Sequence, residues 1–193
     1  MFRQLLRLLP ALILVCLAAV ALSGPRQAAA EGQKAKLYPA DRAILKQVRR
    51  YRGETWRWQS LMGVRRTPTS RAAETSDSDA RAFRIWTRNL WKRRAIRARR
   101  KAARPPHRSG WLCIHRYERN PRQGWATNTG NGYYGGLQMD LSFQRTYGGW
   151  LLRRKGTANR WTPLEQMWVA ERAYRSGRGY YPWPNTARYC GLI

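Results

Sequence analysis

Trp111-Leu112-Cys113-Ile114-His115-Arg116-Tyr117-Glu118, then Gly124-Trp125-Ala126-Thr127-Asn128-Thr129-Gly130-Asn131-Gly132-Tyr133-Tyr134-Gly135-Gly136-Leu137-Gln138, is the stretch on which the fold turns. The first segment has helical spacing, and Asn120 and Pro121 stop it. The run Asn128 to Gly132 is dense in turn residues and predicts a hairpin or tight loop. Tyr133 to Met139 can include an extended piece, after which Asp140 is placed to cap a short helix ending near Gly148-Gly149. Thr162-Pro163-Leu164-Glu165 combines a capping box with proline at the first helical position. That helix should run to about Ser176, with Gly177 closing it. Tyr180 to Cys190 reads as an irregular, proline-containing tail.

Working outward, the first 30 residues have the layout of a secretory signal peptide. Arg3 and Arg7 precede an apolar run from Leu8 to Leu22, and Ala28-Ala29-Ala30 offers a small-x-small cleavage site. The run is shorter than the roughly 20 residues a membrane-spanning helix needs, and no later stretch is apolar enough to span. Val15 stands where a small residue would precede a lipidated Cys16, so a lipoprotein anchor is set aside. Cleavage after Ala30 removes Cys16 and leaves two cysteines, Cys113 and Cys190. An even count in an exported chain favours a disulfide. With His107 and His115 the two cysteines have no zinc-like spacing. A Cys113–Cys190 bond would restrain the unfolded chain by about 4 kcal/mol on the entropic model.

The charge is extreme. Removing Arg3, Arg7 and Arg26 from the formal +28 leaves +25. In a cytosolic protein this would point to nucleic acid first; in an exported one it points to an anionic surface such as the bacterial wall. Residues 31–108 carry 23 basic and 6 acidic side chains, against 12 and 4 in residues 109–193. Within the first part, Asp41 is placed to cap a helix running to about Tyr51, with Ile44, Leu45 and Val48 as its apolar face. Trp56, Trp58, Leu61 and Met62 are its natural packing partners, and Arg65 to Asp79 reads as a loop. A second helical pattern puts Phe83, Trp86, Leu90, Trp91 and Ile96 on one side and ends at Pro105-Pro106. The region reads as a basic, partly helical stalk or linker, or else as a wall-binding element.

Four carboxylates lie in residues 109–193: Glu118, Asp140, Glu165 and Glu171. Glu118 shares a helix face with Trp111, Ile114 and His115. A carboxyl at the edge of an apolar face is desolvated, which favours the protonated form a general acid needs; the alternative is an exposed glutamate paired with Arg119 or Arg122. Asp140 reads as a helix cap, or as a second catalytic carboxylate. Glu165 is half of the capping box. Glu171 lies on the stripe of Leu164, Met167, Trp168 and Tyr174, where a buried, hydrogen-bonded glutamate is the common explanation; it stays a second candidate acid. Trp111, Trp125, Trp150, Trp161, Trp168 and Trp183, with eight tyrosines, exceed what a small core buries. Such rings suit sugar faces, and interleaved with arginine they also suit single-stranded nucleic acid.

Taken together, the WLCIHRYE segment, the GWATNTGNGYYGGLQ run, the Val169-Ala170-Glu171-Arg172 helix and the Trp183-Pro184 tail ending at Cys190 resemble the resuscitation-promoting-factor family of transglycosylase-like domains. The resemblance spans nearly all of residues 109–193 and none of 31–108. It implies a compact, mostly helical lysozyme-like fold acting on peptidoglycan, with the family's catalytic glutamate at Glu118 and its disulfide at Cys113–Cys190. Its groove residues fall on Asn128, Asn131, Tyr133, Tyr134 and Gln138, its aspartate on Asp140 and its late tryptophan on Trp183. Two departures stand out. Cys113 lies five residues before the glutamate, where family members have the cysteine directly before it. Trp125 comes seven residues after Glu118 rather than five, through an Arg-Asn-Pro-Arg-Gln insert.

The expectation is therefore an α+β, mostly α, lysozyme-like domain at 109–193 with one disulfide, preceded by a signal peptide at 1–30 and a basic region at 31–108. The expected function is a secreted, wall-associated, monomeric glycosidase, with Glu118 as acid and Trp125 among the substrate-binding aromatics. Its partners would be peptidoglycan strands and possible anionic wall polymers, without nucleic acid, membrane, metal or organic cofactor. The competing expectations are a non-catalytic wall-binding or signalling protein that keeps the groove, and a nucleic-acid binder.

Overall fold

The computed structural model describes residues 38–69 and 80–193; the expected signal peptide, and residues 70–79 of the stretch expected to be a loop, lie outside them. The elements are α1 (Pro39–Met62), α2 (Ala80–Ala102), α3 (Arg108–Glu118), β1 (Tyr133–Tyr134), β2 (Met139–Asp140), α4 (Leu141–Lys155), α5 (Pro163–Ala173) and α6 (Pro184–Tyr189). Short 3-10 turns at Gly124–Ala126 and Ala158–Arg160, and a π-turn at Tyr174–Arg178, join them. The expected fold class holds: mostly α, a two-stranded antiparallel hairpin pairing Tyr133 with Asp140, and one disulfide between Cys113 and Cys190. Among the described residues no helix is long and apolar enough to cross a membrane.

α1 is longer than its sequence pattern suggested. It continues past Tyr51 because Thr55, Leu61 and Met62 extend the buried stripe begun by Ile44 and Val48. Gly63 ends it at φ 66°, donating its N–H back to Ser60. Asp41 is not the cap. Pro39 already occupies the first turn, and the Asp41 carboxylate faces α2, where Arg84 pairs with it at 3.5 Å. The buried stripe of α2 also differs from the expected one. Thr87, Trp91, Ala95, Ala98 and Ala102 face inward, while Phe83, Trp86 and Ile96 are exposed. Trp91 is inside as expected, packed edge-on against Trp56 of α1, and the alanines around it let the two long helices approach closely.

The helical hairpin docks on the rest of the chain through its ends. Trp168 donates its indole N–H to the Ala102 carbonyl at 2.7 Å, and Leu61 and Met62 pack around Trp168. Arg175 donates to the Met62 carbonyl at 2.7 Å, and Arg172 to that of Ser60. Arg175 satisfies the Met62 carbonyl, which the end of α1 leaves without a helical partner, and Arg172 adds a second donor to the Ser60 carbonyl already bonded by Gly63.

The core of residues 109–193 gathers Trp111 and Ile114 of α3, Leu137, Met139, Phe143 and Leu151, Met167 and Val169 of α5, and Trp183. α5 begins with the expected capping box, Thr162 accepting from the Glu165 N–H while Glu165 accepts from the Thr162 N–H. α4 does not stop at the glycine pair. It passes through Gly148 with non-helical φ −131° and runs on to Lys155. A side chain at Gly148 would collide with Trp161, so the glycine is there for close packing across the kink. Within the tail expected to be irregular, Pro184 starts the short helix α6.

Candidate active site

Glu118 is the last residue of α3, where the helix leaves the core. Two turns of burial lead up to it: Gly110, Trp111 and Ile114 are buried, and His115 is half-buried. His115 lies flat under Trp125, ring centroids 3.8 Å apart at 10°. Its Nδ1 is 3.1 Å from the Gly136 carbonyl, which can only accept, so Nδ1 carries the hydrogen. Burial holds the imidazole pKa below its usual value. A Cβ at Gly136 would run into His115 and Trp125, so this glycine lets the loop reach α3.

The half-buried Glu118 opens into a groove of about 260 Å³ lined by Asn131, Tyr133, Gln138, Pro182, Trp183 and the first residues of α6. Thr186 of α6 donates its hydroxyl to Glu118 Oε1. Neither Arg119 nor Arg122 pairs with Glu118: the Arg119 guanidinium donates to the Pro121 carbonyl, and Glu118 has no ion pair among the described residues.

The other three carboxylates of residues 109–193 are engaged elsewhere. Asp140 accepts the Phe143 N–H at 2.7 Å as the cap of α4. Glu165 takes Lys155 at 2.7 Å on each oxygen, besides its place in the capping box. Glu171 is fully buried and accepts from the His107 N–H at 2.8 Å and the Trp111 indole at 2.9 Å, with His107 Nδ1 at 3.1 Å. It ties the start of α3 to α5. Beside it, burial first, then Tyr174 and Glu171, push the Tyr180 phenol up to about 12. Glu171→Gln is expected to cost about 2 kcal/mol of stability in a denaturant titration, through weakened charge-assisted bonds, and to leave the groove intact. A variant as stable as the parent would contradict this role.

The residues expected to line the groove divide into two groups. Asn131, Tyr133, Gln138 and Trp183 line it with Glu118. Gln138 has φ 47°, uncommon for a residue with a side chain, and its amide donates to the Gly135 carbonyl at 2.9 Å. Trp183 is largely buried, donating to the Leu137 carbonyl at 2.6 Å. Trp125, Asn128, Tyr134 and Asp140 support the loop instead. The Trp125 carbonyl accepts from Gln166 at 2.8 Å, Asn128 bridges to Tyr134, and Tyr134 packs on the core. The Arg119–Gln123 segment turns on the bond from the Arg122 N–H to Asn120 Oδ1 at 2.9 Å, the Asn120 N–H ties it to Thr127 Oγ1 at 3.0 Å, and Trp125 still reaches His115.

Thr186 was not found from the sequence, although a signal exists. It precedes Cys190 by four residues on α6, and Cys113 precedes Glu118 by five on α3. The disulfide joins the far ends of both intervals. The two helices therefore meet at Cys113–Cys190 and again at Glu118–Thr186, one to one and a half turns apart. The early position of Cys113 is matched by the position of Cys190 at the C-terminal cap of α6.

Residues 108–186 match the family model described as a transglycosylase-like domain. The chain is 43% identical over 68 residues to resuscitation-promoting factor Rpf1 of Corynebacterium glutamicum, covering 35% of this chain and 34% of that protein. It is 42% identical over 64 residues to resuscitation-promoting factor RpfE of Mycobacterium tuberculosis, covering 33% and 34%. The chain thus spans about a third of the length of these relatives. No solved structure gives a significant match.

Proposed function

We propose, from the premise that residues 108–186 form a transglycosylase-like domain, that this chain is an exported enzyme cleaving the glycan of peptidoglycan. Glu118 is its general acid, acting on the β-1,4 bond between N-acetylmuramic acid and N-acetylglucosamine. The observation that carries this reading is that Glu118 alone, of the four carboxylates in residues 109–193, faces a groove and lacks a structural charge partner.

Protonated Glu118 gives its proton to the leaving glycosidic oxygen, and an oxocarbenium-like transition state develops in the groove. Asn131, Tyr133, Gln138 and Trp183 hold the sugar, with Trp125, Asn128, Tyr134 and Asp140 fixing the loop that presents them. Glu118, now ionised, accepts the Thr186 hydroxyl and can take a proton back from the incoming nucleophile. No second carboxylate of the domain reaches the groove, which favours attack by the sugar's own hydroxyl over attack on a protein-bound intermediate. The products distinguish the outcomes. Mass spectrometry of digested peptidoglycan is expected to show anhydro-muramyl ends. Reducing ends would mean a muramidase, and an absence of products would refute the enzyme reading.

Thr186 is a positioning residue in this scheme. Thr186→Val is expected to lower kcat about tenfold with little change in KM, the loss of one hydrogen bond to a charged group. Thr186→Ser should restore most of it, and the pH–rate profile should move in the valine variant only. An unaltered kcat and profile in Thr186→Val would remove Thr186 from the mechanism.

A further inference from the structure

Between α1 and the transglycosylase-like domain lies a second groove, of about 280 Å³, sharing no lining residue with the one at Glu118. Trp58 of α1 and Trp150 of α4 are among its walls, and Arg57, Arg154, Lys155 and Glu165 are its charged rim. Glu165 is taken up by Lys155 and by the Thr162 N–H. Arg57 and Arg154 have no carboxylate partner among the described residues. The Arg57 guanidinium sits 4.7 Å from the centre of the Trp58 ring.

Two buried donors beside this groove lack acceptors among the described residues, although the Arg172 guanidinium bonds the Ser60 and Leu61 carbonyls through its terminal nitrogen. The Arg172 guanidinium lies 5.9 Å from the centre of the Trp150 ring. Both Arg172 Nε and Trp150 Nε1 are buried donors with no hydrogen-bond acceptor among the described residues. Buried donors normally find partners, and partly buried cations normally find anions.

We propose that this groove is a second binding site of the chain, taking a muramyl-peptide unit of the wall polymer. The indoles of Trp58 and Trp150 take the sugar face, and Arg57 and Arg154 take a stem-peptide carboxylate. The proposal rests on the reading that the substrate is peptidoglycan. A phosphate would meet the same guanidiniums; the muramyl peptide is preferred because one polymer then occupies both grooves. Engagement at two points raises the effective concentration of glycan at Glu118 without any new contact there. α1 contributes one wall, so the basic hairpin gains a function: it completes a site that the domain alone lacks.

The test uses the full chain carrying Glu118→Gln, which prevents turnover, titrated with a purified soluble disaccharide-peptide and followed by tryptophan fluorescence. Arg57→Glu with Arg154→Glu is expected to weaken binding about tenfold or more. Arg93→Glu with Arg97→Glu, an equal charge change at exposed positions of α2, should leave it unaltered. With Glu118 restored, cleavage of a peptide-free oligosaccharide should be the same in the Arg57/Arg154 variant as in the parent. Equal losses in both charge-reversed chains, loss in neither, no binding of the disaccharide-peptide, or binding only of a glycerol-phosphate polymer would each overturn the proposal. The identity of the catalytic acid is read from cleavage and not from this titration, so the two readings fail separately.

Discussion

Glu118→Gln is expected to lower kcat for glycan cleavage by about three orders of magnitude, near 4 kcal/mol of barrier, with KM within about twofold of the parent. Glutamine has the same shape and still offers an oxygen to the Thr186 hydroxyl, so the groove should keep its form. It has no proton to give to the glycosidic oxygen. Binding and chemistry therefore separate, and the circular dichroism spectrum and melting temperature should match those of the parent. Glu171→Gln is the paired control: it changes stability, because its carboxylate holds His107 and Trp111 far from the groove lining. A chain in which Glu171→Gln abolished cleavage with its fold intact would move the acid from Glu118.

The second large effect belongs to the disulfide. Cys113→Ser with Cys190→Ser opens a loop of 77 residues and is expected to cost about 4 kcal/mol through the entropy of the unfolded chain. For a folded unit of this size that is a fall of roughly 10–15 °C in melting temperature, measured by calorimetry. Activity should fall further than stability alone requires. α6 has only Pro184–Tyr189 and is held to α3 at the cysteines, so its release loosens Thr186 from Glu118. At a temperature where the variant is still folded, its kcat should drop at least as far as that of Thr186→Val. A melting temperature within about 3 °C of the parent would contradict the account of the disulfide.

Much of the fold was legible because its signals are local. The capping box at Thr162 and Glu165, the proline at the start of α5, and the turn-rich run before β1 act within one or two turns of chain. What escaped depends on contacts distant in sequence. Nothing near Gly148 announces that Trp161 will press against it and let α4 continue. The inward face of α2 keeps Trp91 but not Phe83, Trp86 or Ile96, because large apolar residues outweigh alanines in any pattern count, whereas close helix packing selects the alanines.

The candidate site shows the same division. Glu118, Asn131, Tyr133, Gln138 and Trp183 converge on one groove. Trp125, Asn128, Tyr134 and Asp140 come from the same motif, yet stack, bridge, pack and cap. A motif does not distinguish residues that touch a ligand from those that shape the loop presenting them. Thr186 lay outside the motif altogether, and only the disulfide interval pointed to it.

The most direct test of the central claim is the clearing of purified peptidoglycan sacculi by parent and Glu118→Gln chains at equal folded concentration, followed as loss of turbidity. The expected result is clearing by the parent and none by the variant, with both chains sedimenting on the sacculi. Equal clearing by the two chains would contradict it.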